Sequence, residues 1–233
     1  QLNKEGKQIR FQFLSVLSHE LKAPINAIEG YLKIMKERQA GSNIDDYEEI
    51  IDRSLTRING MRHLIMDLLD LTQIESGKKK REIQETDLTL IAKSAVDTMN
   101  PYAIQKDVSI ELHTPEPLLL KGDKDELEII FNNLISNAIK YNQSGGKVIC
   151  SIRRKGHSAQ IKVEDTGIGI REEDLKKLFD EFVRIKNEKT KNISGSGLGL
   201  SIVKKIVDLY GGDIKVSSTP EKGSTFRIYI PLS

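Results

Sequence analysis

The residues with the most chemical potential come early, in the stretch FLSVLSHELKAPINAIEGYL, Phe13 to Leu32. Leu14, Leu17, Leu21, Ile25, Ile28, Leu32 and Met35 recur every three or four positions, the period of one apolar stripe on a helix. At about 100° per residue, His19 lies roughly 160° from the centre of that stripe, so a helix here turns it to water. Pro24 withholds an N–H from the Glu20 carbonyl, which costs about 3 kcal/mol or more and bends the helix. A broken local rule beside an exposed histidine marks many functional sites. An ordinary surface histidine on a kinked helix has the same pattern. The run HELKA also invites a zinc reading as H-E-x-x-H, but Ala23 stands where the second histidine is required. His63 in a second helix, His113 at a strand end and His157 in a hairpin have no comparable company.

Three later stretches suit a nucleotide. In NNLISNAIKYN, Asn133 and Asn137 are one helical turn apart and share a face, with Lys140 and Tyr141 on the next turn. Asparagine is a poor interior helix former. Neutral oxygens beside a lysine fit Mg²⁺ already carried by phosphates; a solvated polar face would look the same. In DTGIGI, Asp165 closes a strand, and Gly167 and Gly169 let the backbone approach a flat ligand. A carboxylate there can accept from an amino group such as that of adenine, although an ordinary strand-to-helix turn has similar residues. In GSGLGLS, Gly195, Gly197, Leu198 and Gly199 lead into a helix whose free N–H groups favour phosphate. No strand precedes this glycine pattern, which excludes a Rossmann site, and no G-x-x-x-x-G-K-[ST] exists for a P-loop. Just upstream, LFDEFVR offers Phe179 and Phe182 for packing and the Arg184 guanidinium for phosphate.

The elements that must hold these residues divide into two halves. The first is a helical hairpin: the opening helix, a turn at ERQAGSN, and a second helix over about 44–76 with a stripe of Ile51, Ile58, Met61, Ile65, Leu68 and Leu71. Two helices cannot enclose a core, and so large an apolar patch marks an interface. The simplest closure is a homodimeric four-helix bundle. Residues 1–76 are thus expected to form the hairpin, 77–81 a linker and 82–233 a second domain. There, helices are expected over 88–103, 123–142, 171–182 and from the glycine loop onward. Strands are expected at VSIEL, KVICSIRR, SAQIKVED, DIKVSST and STFRIYIPL. Asp123 and Glu126 have capping-box spacing. This order suggests an α+β sandwich with helices on one face.

Composition excludes several classes. The chain has 233 residues, 38% apolar and 30% charged, with a net charge of +2. Basic and acidic residues are interspersed, which gives no nucleic-acid signature. No apolar run approaches the roughly 20 residues of a membrane span, so no membrane contact by this stretch is expected. One cysteine, Cys150, excludes an internal disulfide framework and suits core packing. The polar opening, QLNKEGKQIR, lacks a cap signal and suggests a piece of a longer protein.

FLSVLSHELKAPI, NNLISNAIKYN, DTGIGI, LFDEFVR and GSGLGL stand in the order and approximate spacing of the H, N, G1, F and G2 boxes of bacterial sensor histidine kinases. The resemblance covers nearly the whole chain. It implies a dimerisation and phosphotransfer hairpin followed by an ATP-binding domain of the Bergerat type, similar to the ATPase domains of DNA gyrase and MutL. It further implies that His19 is phosphorylated from ATP and that Glu20 orients its ring. Asn137, helped by Asn133, would hold Mg²⁺. Lys140 and Arg184 would contact phosphate, and Tyr141 would border the nucleotide. Asp165 would read adenine above Gly167 and Gly169. Residues from about 184 to 196 would form a mobile lid, closed by Gly195, Gly197 and Gly199. The phosphoryl group would then pass to an aspartate of a response-regulator receiver domain. The resemblance places this part in the cytoplasm and a membrane anchor elsewhere in the parent protein. The residue four after the histidine, Thr or Asn in many such kinases, is Ala23 here, which implies weak phosphatase activity. The rival readings are an ATP-binding dimeric scaffold without turnover and a gyrase-type ATPase acting on nucleic acid.

Overall fold

The computed structural model describes residues 2–77, 80–185, 187–191, 193 and 195–232, with side chains from residue 15 onward. The side chain of Leu14, and Lys78, Lys79, Lys186, Asn192 and Ser194 of the expected linker and lid, lie outside the described residues. The chain forms two compact units, residues 1–69 with 194–196 and residues 70–193 with 197–233.

In the first unit α1 spans Leu2–Lys36 and runs on through Pro24. A 3-10 turn, Ile44–Tyr47, precedes α2, Glu48–Ser76, so the second α-helix starts slightly later than the sequence pattern suggests. The delay has a local cause. The Tyr47 hydroxyl donates to the Gly41 carbonyl at 2.6 Å, and the Asn43 N–H donates to Asp46 at 3.0 Å. These bonds spend the residues after the turn on closing it, and Tyr47 is buried there. Glu49 on α2 holds Arg53 in its charged form, and Tyr31 on α1 adds a hydrogen bond to it. Both expected stripes are visible and, apart from the fully buried Leu71, both are left partly uncovered in one chain. Leu17, Leu21, Ile28 and Met35 are only half-buried. Ile25, Leu32, Ile58 and Ile65 are 40%, 55%, 43% and 45% exposed.

The second unit holds β1 (Gln84–Asp87), α3 (Leu88–Gln105), β2 (Val108–His113), β3 (Leu119–Gly122), α4 (Lys124–Lys140), β4 (Gly146–Lys155), β5 (Ser158–Asp165), α5 (Glu172–Leu175), α6 (Gly199–Leu209), β6 (Asp213–Thr219) and β7 (Gly223–Pro231). The main sheet has the order β2-β4-β5-β7-β6; β2 and β4 are parallel and the other pairs antiparallel. Alternate residues face a core: Val148, Cys150 and Ile152, then Ala159, Ile161 and Val163, then Phe226, Ile228 and Ile230 are buried. Their neighbours Arg153, Lys162 and Arg227 stay at least partly exposed, as in an antiparallel sheet with one wet face. Leu127, Phe131, Leu134 and Ile135 of α4 and Ile202, Val203 and Ile206 of α6 complete the core. The α+β sandwich expected from the sequence is thus the observed fold. Burial pushes the Cys150 thiol up to about 12, which makes it an inert packing residue.

Two local expectations are corrected. The helix expected over 171–182 stops at Leu175. Beyond it the N–H groups of Lys177, Leu178 and Asp180 bond three residues back, and Phe182 takes φ +59°, where a right-handed helix cannot continue. The capping box at Asp123 is only half formed. Asp123 does cap the N–H groups of Asp125 and Glu126. Glu126, 4% exposed, does not reach back; it takes a bidentate pair from Arg81 and a hydrogen bond from Tyr210, whose hydroxyl in turn accepts from the Asp123 N–H at 2.8 Å. Arg81 also lies over the Tyr210 ring at 4.7 Å. A guanidinium is strong enough to draw the carboxylate away from a single N–H.

Candidate nucleotide and phospho-acceptor sites

The end of α4 and the loop after β5 are built as one piece. Asp165 is 8% exposed. Its Oδ1 accepts from Gly167 N at 2.8 Å and Ser224 N at 3.3 Å, while Oδ2 accepts from none of the described residues. Burial pushes its carboxyl up to about 6, against the pull of those two N–H groups. Ile168 N donates to the Tyr141 carbonyl at 3.1 Å. A Cβ on Gly167 would stand 2.3 Å from that same carbonyl oxygen, so only glycine allows the approach. Gly169, at φ +66°, is equally closed: a Cβ would meet the Thr219 carbonyl at 2.1 Å.

On α4, Asn133 Nδ2 donates to the Ile129 carbonyl at 3.0 Å, and its Oδ1 fills the space a Cβ on Gly199 would need. Asn137, one turn on, is half-buried, and no side-chain hydrogen bond involves it among the described residues. Its amide oxygen is a hard neutral donor suited to Mg²⁺ with phosphates completing the shell. Lys140 lies 5.6 Å from the centre of the Tyr141 ring. Burial raises the Tyr141 phenol, and the charge of Arg184 opposes that rise. Leu198 is fully buried, and its carbonyl accepts from Ile202 N and the Ser201 hydroxyl as α6 begins. A Cβ on Gly197 would fall 2.8 Å from the Phe182 backbone, which packs the F and G2 stretches together.

The segment expected as a lid contains an ordered turn. Asn187 Oδ1 accepts from Lys189 N and Thr190 N, and Thr190, 5% exposed, donates to the Ile185 carbonyl at 2.6 Å. Arg184, expected on phosphate, donates to the Ile193 carbonyl. Gly195 is exposed. On α1, His19 and Ala23 are exposed and Glu20 is half-buried. The sequence reading missed Ser218 and Ser224, which stand behind the Asp165 loop; a serine pair across two strands has no linear signature.

A buried acid packed beside a glycine, an asparagine-bearing helix and a glycine-led helix stand on one α+β sandwich, in a chain that also holds a histidine-bearing hairpin. Residues 122–233 match the family model described as histidine kinase-, DNA gyrase B- and HSP90-like ATPase, and residues 9–77 match the His Kinase A (phospho-acceptor) domain. The sensor histidine kinase RcsC of Escherichia coli (strain K12) is 31% identical over 100% of this chain, and the circadian input-output histidine kinase CikA of Synechococcus elongatus is 33% identical over 94%. The chain spans only 24% and 30% of the length of those two relatives. The histidine kinase AdeS of Acinetobacter baumannii has the same fold, with a TM-score of 0.74, 25% identity, and coverage of 92% of this chain and 98% of AdeS. ThkA, solved in complex with the response regulator TrrA, superposes with a TM-score of 0.79 at 23% identity, covering 99% of this chain and 64% of that one. This chain belongs to the histidine kinases, as their phospho-acceptor and ATPase core.

Proposed function

We propose that this core phosphorylates itself on His19 from ATP and passes the phosphoryl group to an aspartate of a response-regulator receiver domain. The observation that carries the reading is the joint packing of Asp165, Gly167 and Tyr141, which leaves one carboxylate oxygen for an adenine amino group. The functional boundaries that fit are 1–76 for the hairpin, 77–81 for the linker and 82–233 for the ATP-binding domain. An imidazole nitrogen of His19 attacks the γ-phosphorus, the N–P bond forms as the P–O bond to ADP breaks, and Glu20 takes the proton from the other ring nitrogen. A neutral imidazole has a ring-nitrogen lone pair and is a competent nucleophile. Protein catalysis of such a step is chiefly positioning and charge stabilisation. Mg²⁺ would neutralise charge on the phosphates, held on the protein side by Asn137 with help from Asn133. Lys140, Arg184 and the α6 entry at Gly195, Gly197, Leu198 and Gly199 would serve phosphate. The ThkA–TrrA complex supports the regulator as partner, and the exposed stripes support a homodimer. No described helix is long and apolar enough to cross a membrane. Membership of the histidine kinases is what supports a cytoplasmic segment of a membrane-anchored parent.

Incubation with γ-labelled ATP tests the reading. Acid-labile, base-stable label on protein is expected. No label would favour the scaffold without turnover, and free phosphate alone would favour a gyrase-type ATPase.

Replacing Leu21 and Ile28 together with Glu is expected to give monomers, because charge on a half-covered stripe opposes its burial against a second copy. Light scattering at micromolar concentration checks this; a wild-type chain that is already monomeric would remove the bundle. Ala23 carries neither donor nor acceptor to hold a water one turn from His19. Ala23→Thr is therefore expected to raise dephosphorylation of the regulator several-fold over a slow wild type in ADP. Fast wild-type decay, unchanged by threonine, would show that another group positions the water.

A further inference from the structure

The adenine-side loop, residues 165–170, leans on the hairpin of β6 and β7. Ser218 on β6 is the register partner of Ser224 on β7. Ile170 N donates to Ser218 Oγ at 2.8 Å, Ser218 Oγ lies 2.9 Å from the Gly223 carbonyl, and Ser224 Oγ lies 2.9 Å from Ser218 Oγ. A serine hydroxyl has one proton and two lone pairs. One assignment uses all three: Ser218 donates to Gly223 and accepts from Ile170 N and from the Ser224 hydroxyl. The next residue contact reaches the site itself, since Ser224 N donates to Asp165 Oδ1 at 3.3 Å. Gly223 packs so close that a Cβ there would stand 1.9 Å from the Asp165 carbonyl. Among the described residues, the remaining bond between loop and hairpin is backbone only, Glu221 N to the Ile168 carbonyl at 2.9 Å.

We infer that the Ser218 hydroxyl is a latch that fixes the Asp165 loop to the β6–β7 hairpin, making Ser218 a positioning residue for recognition of the adenine amino group. The inference rests on the ATP reading of the site. Ser218 touches Ile170, Gly223 and Ser224 and acts through them. Losing it frees one end of the loop and shifts the Ser224 N–H that orients the carboxylate. Recognition of phosphate, at the other end of the nucleotide, is untouched.

The test uses the full chain with Mg²⁺ and displacement of a fluorescent adenine nucleotide by ADP and by inosine diphosphate, which has an oxygen where adenine has its amino group. Wild type is expected to prefer ADP. Ser218→Ala is expected to lose about tenfold in ADP affinity, the worth of one well-placed hydrogen bond, while inosine diphosphate changes by less than about twofold. Ser218→Thr, which keeps the hydroxyl and suits a strand, is expected to restore ADP to within about threefold. Equal loss for both nucleotides, or unchanged ADP affinity, would overturn the latch while leaving the ATP site standing. A wild-type chain that releases no probe to either nucleotide would overturn the nucleotide reading itself.

Discussion

His19→Gln is expected to abolish acid-labile labelling from γ-labelled ATP while leaving ADP affinity within about threefold of wild type. Glutamine preserves length and polarity but has no nucleophilic nitrogen, because the lone pair of its amide nitrogen is delocalised. The residue belongs to a unit that folds by its own turn, closed by Tyr47 and Gly41, and lies outside the nucleotide module. Its side chain is exposed and carries no core packing, so the substitution should cost little stability. Catalysis and binding are therefore expected to separate. Labelling measured beside calorimetric ADP binding checks both halves. Persistent acid-labile label would move the phosphosite to another histidine, with His63 on α2 the first to examine. Loss of ADP binding would show that His19 supports the fold of the nucleotide site, against its exposure.

What could be read from sequence followed from how locally each feature is encoded. The alternation in KVICSIRR and SAQIKVED is a property of single strands with one buried face, so β4 and β5 were legible. Gly167 and Gly169 were legible for a related reason: a Cβ at either position would fall within 2.3 Å of a carbonyl oxygen, so no other residue fits. The short strands β1 and β3 were not, because four residues cannot show a period, and their pairing Gln84–Gly122 spans distant chain. Glu126 was misread as a cap partner because its true partners, Arg81 and Tyr210, are far away in sequence. The stop of the F-stretch helix at Leu175 was hidden because LFDEF has good helical periodicity, while the chain instead takes three-residue turn bonds and a positive φ at Phe182. Close-packed glycines that stand as single motif letters were legible; contacts set by strand register, such as Ser218 opposite Ser224, were not.

Asp165→Asn is expected to move nucleotide affinity and stability in opposite directions. Desolvation holds the Asp165 carboxyl up at about 6, and Glu164 adds a smaller push in the same direction. A raised carboxylate pKa means that the folded state binds more protons than the unfolded chain between about 4 and 6. The ligand-free protein accordingly loses stability as pH rises through that window, by up to about 3 kcal/mol for a shift of roughly two units. Asparagine has no charge to desolvate, and its amide oxygen can still accept from Gly167 and Ser224. The ligand-free variant is thus expected to melt higher than wild type at pH 7.5, with the difference shrinking towards pH 4. Nucleotide binding should go the other way. An ionised carboxylate accepting from an adenine amino group makes a charge-assisted bond, and its loss costs about 1–3 kcal/mol, roughly 5- to 150-fold in affinity. In the variant the second amide position is an NH₂ group, which faces the amino donor with another donor. Wild-type ADP affinity should also fall as pH drops below about 6, when the carboxylate takes up its proton, whereas the variant should be nearly flat. Calorimetry with ADP from pH 5.5 to 8, paired with thermal melts of the ligand-free chains, measures both signs. A variant that binds ADP as wild type does would remove Asp165 from adenine recognition. One that binds weakly but melts lower at pH 7.5 would show that the buried charge holds the loop rather than straining it.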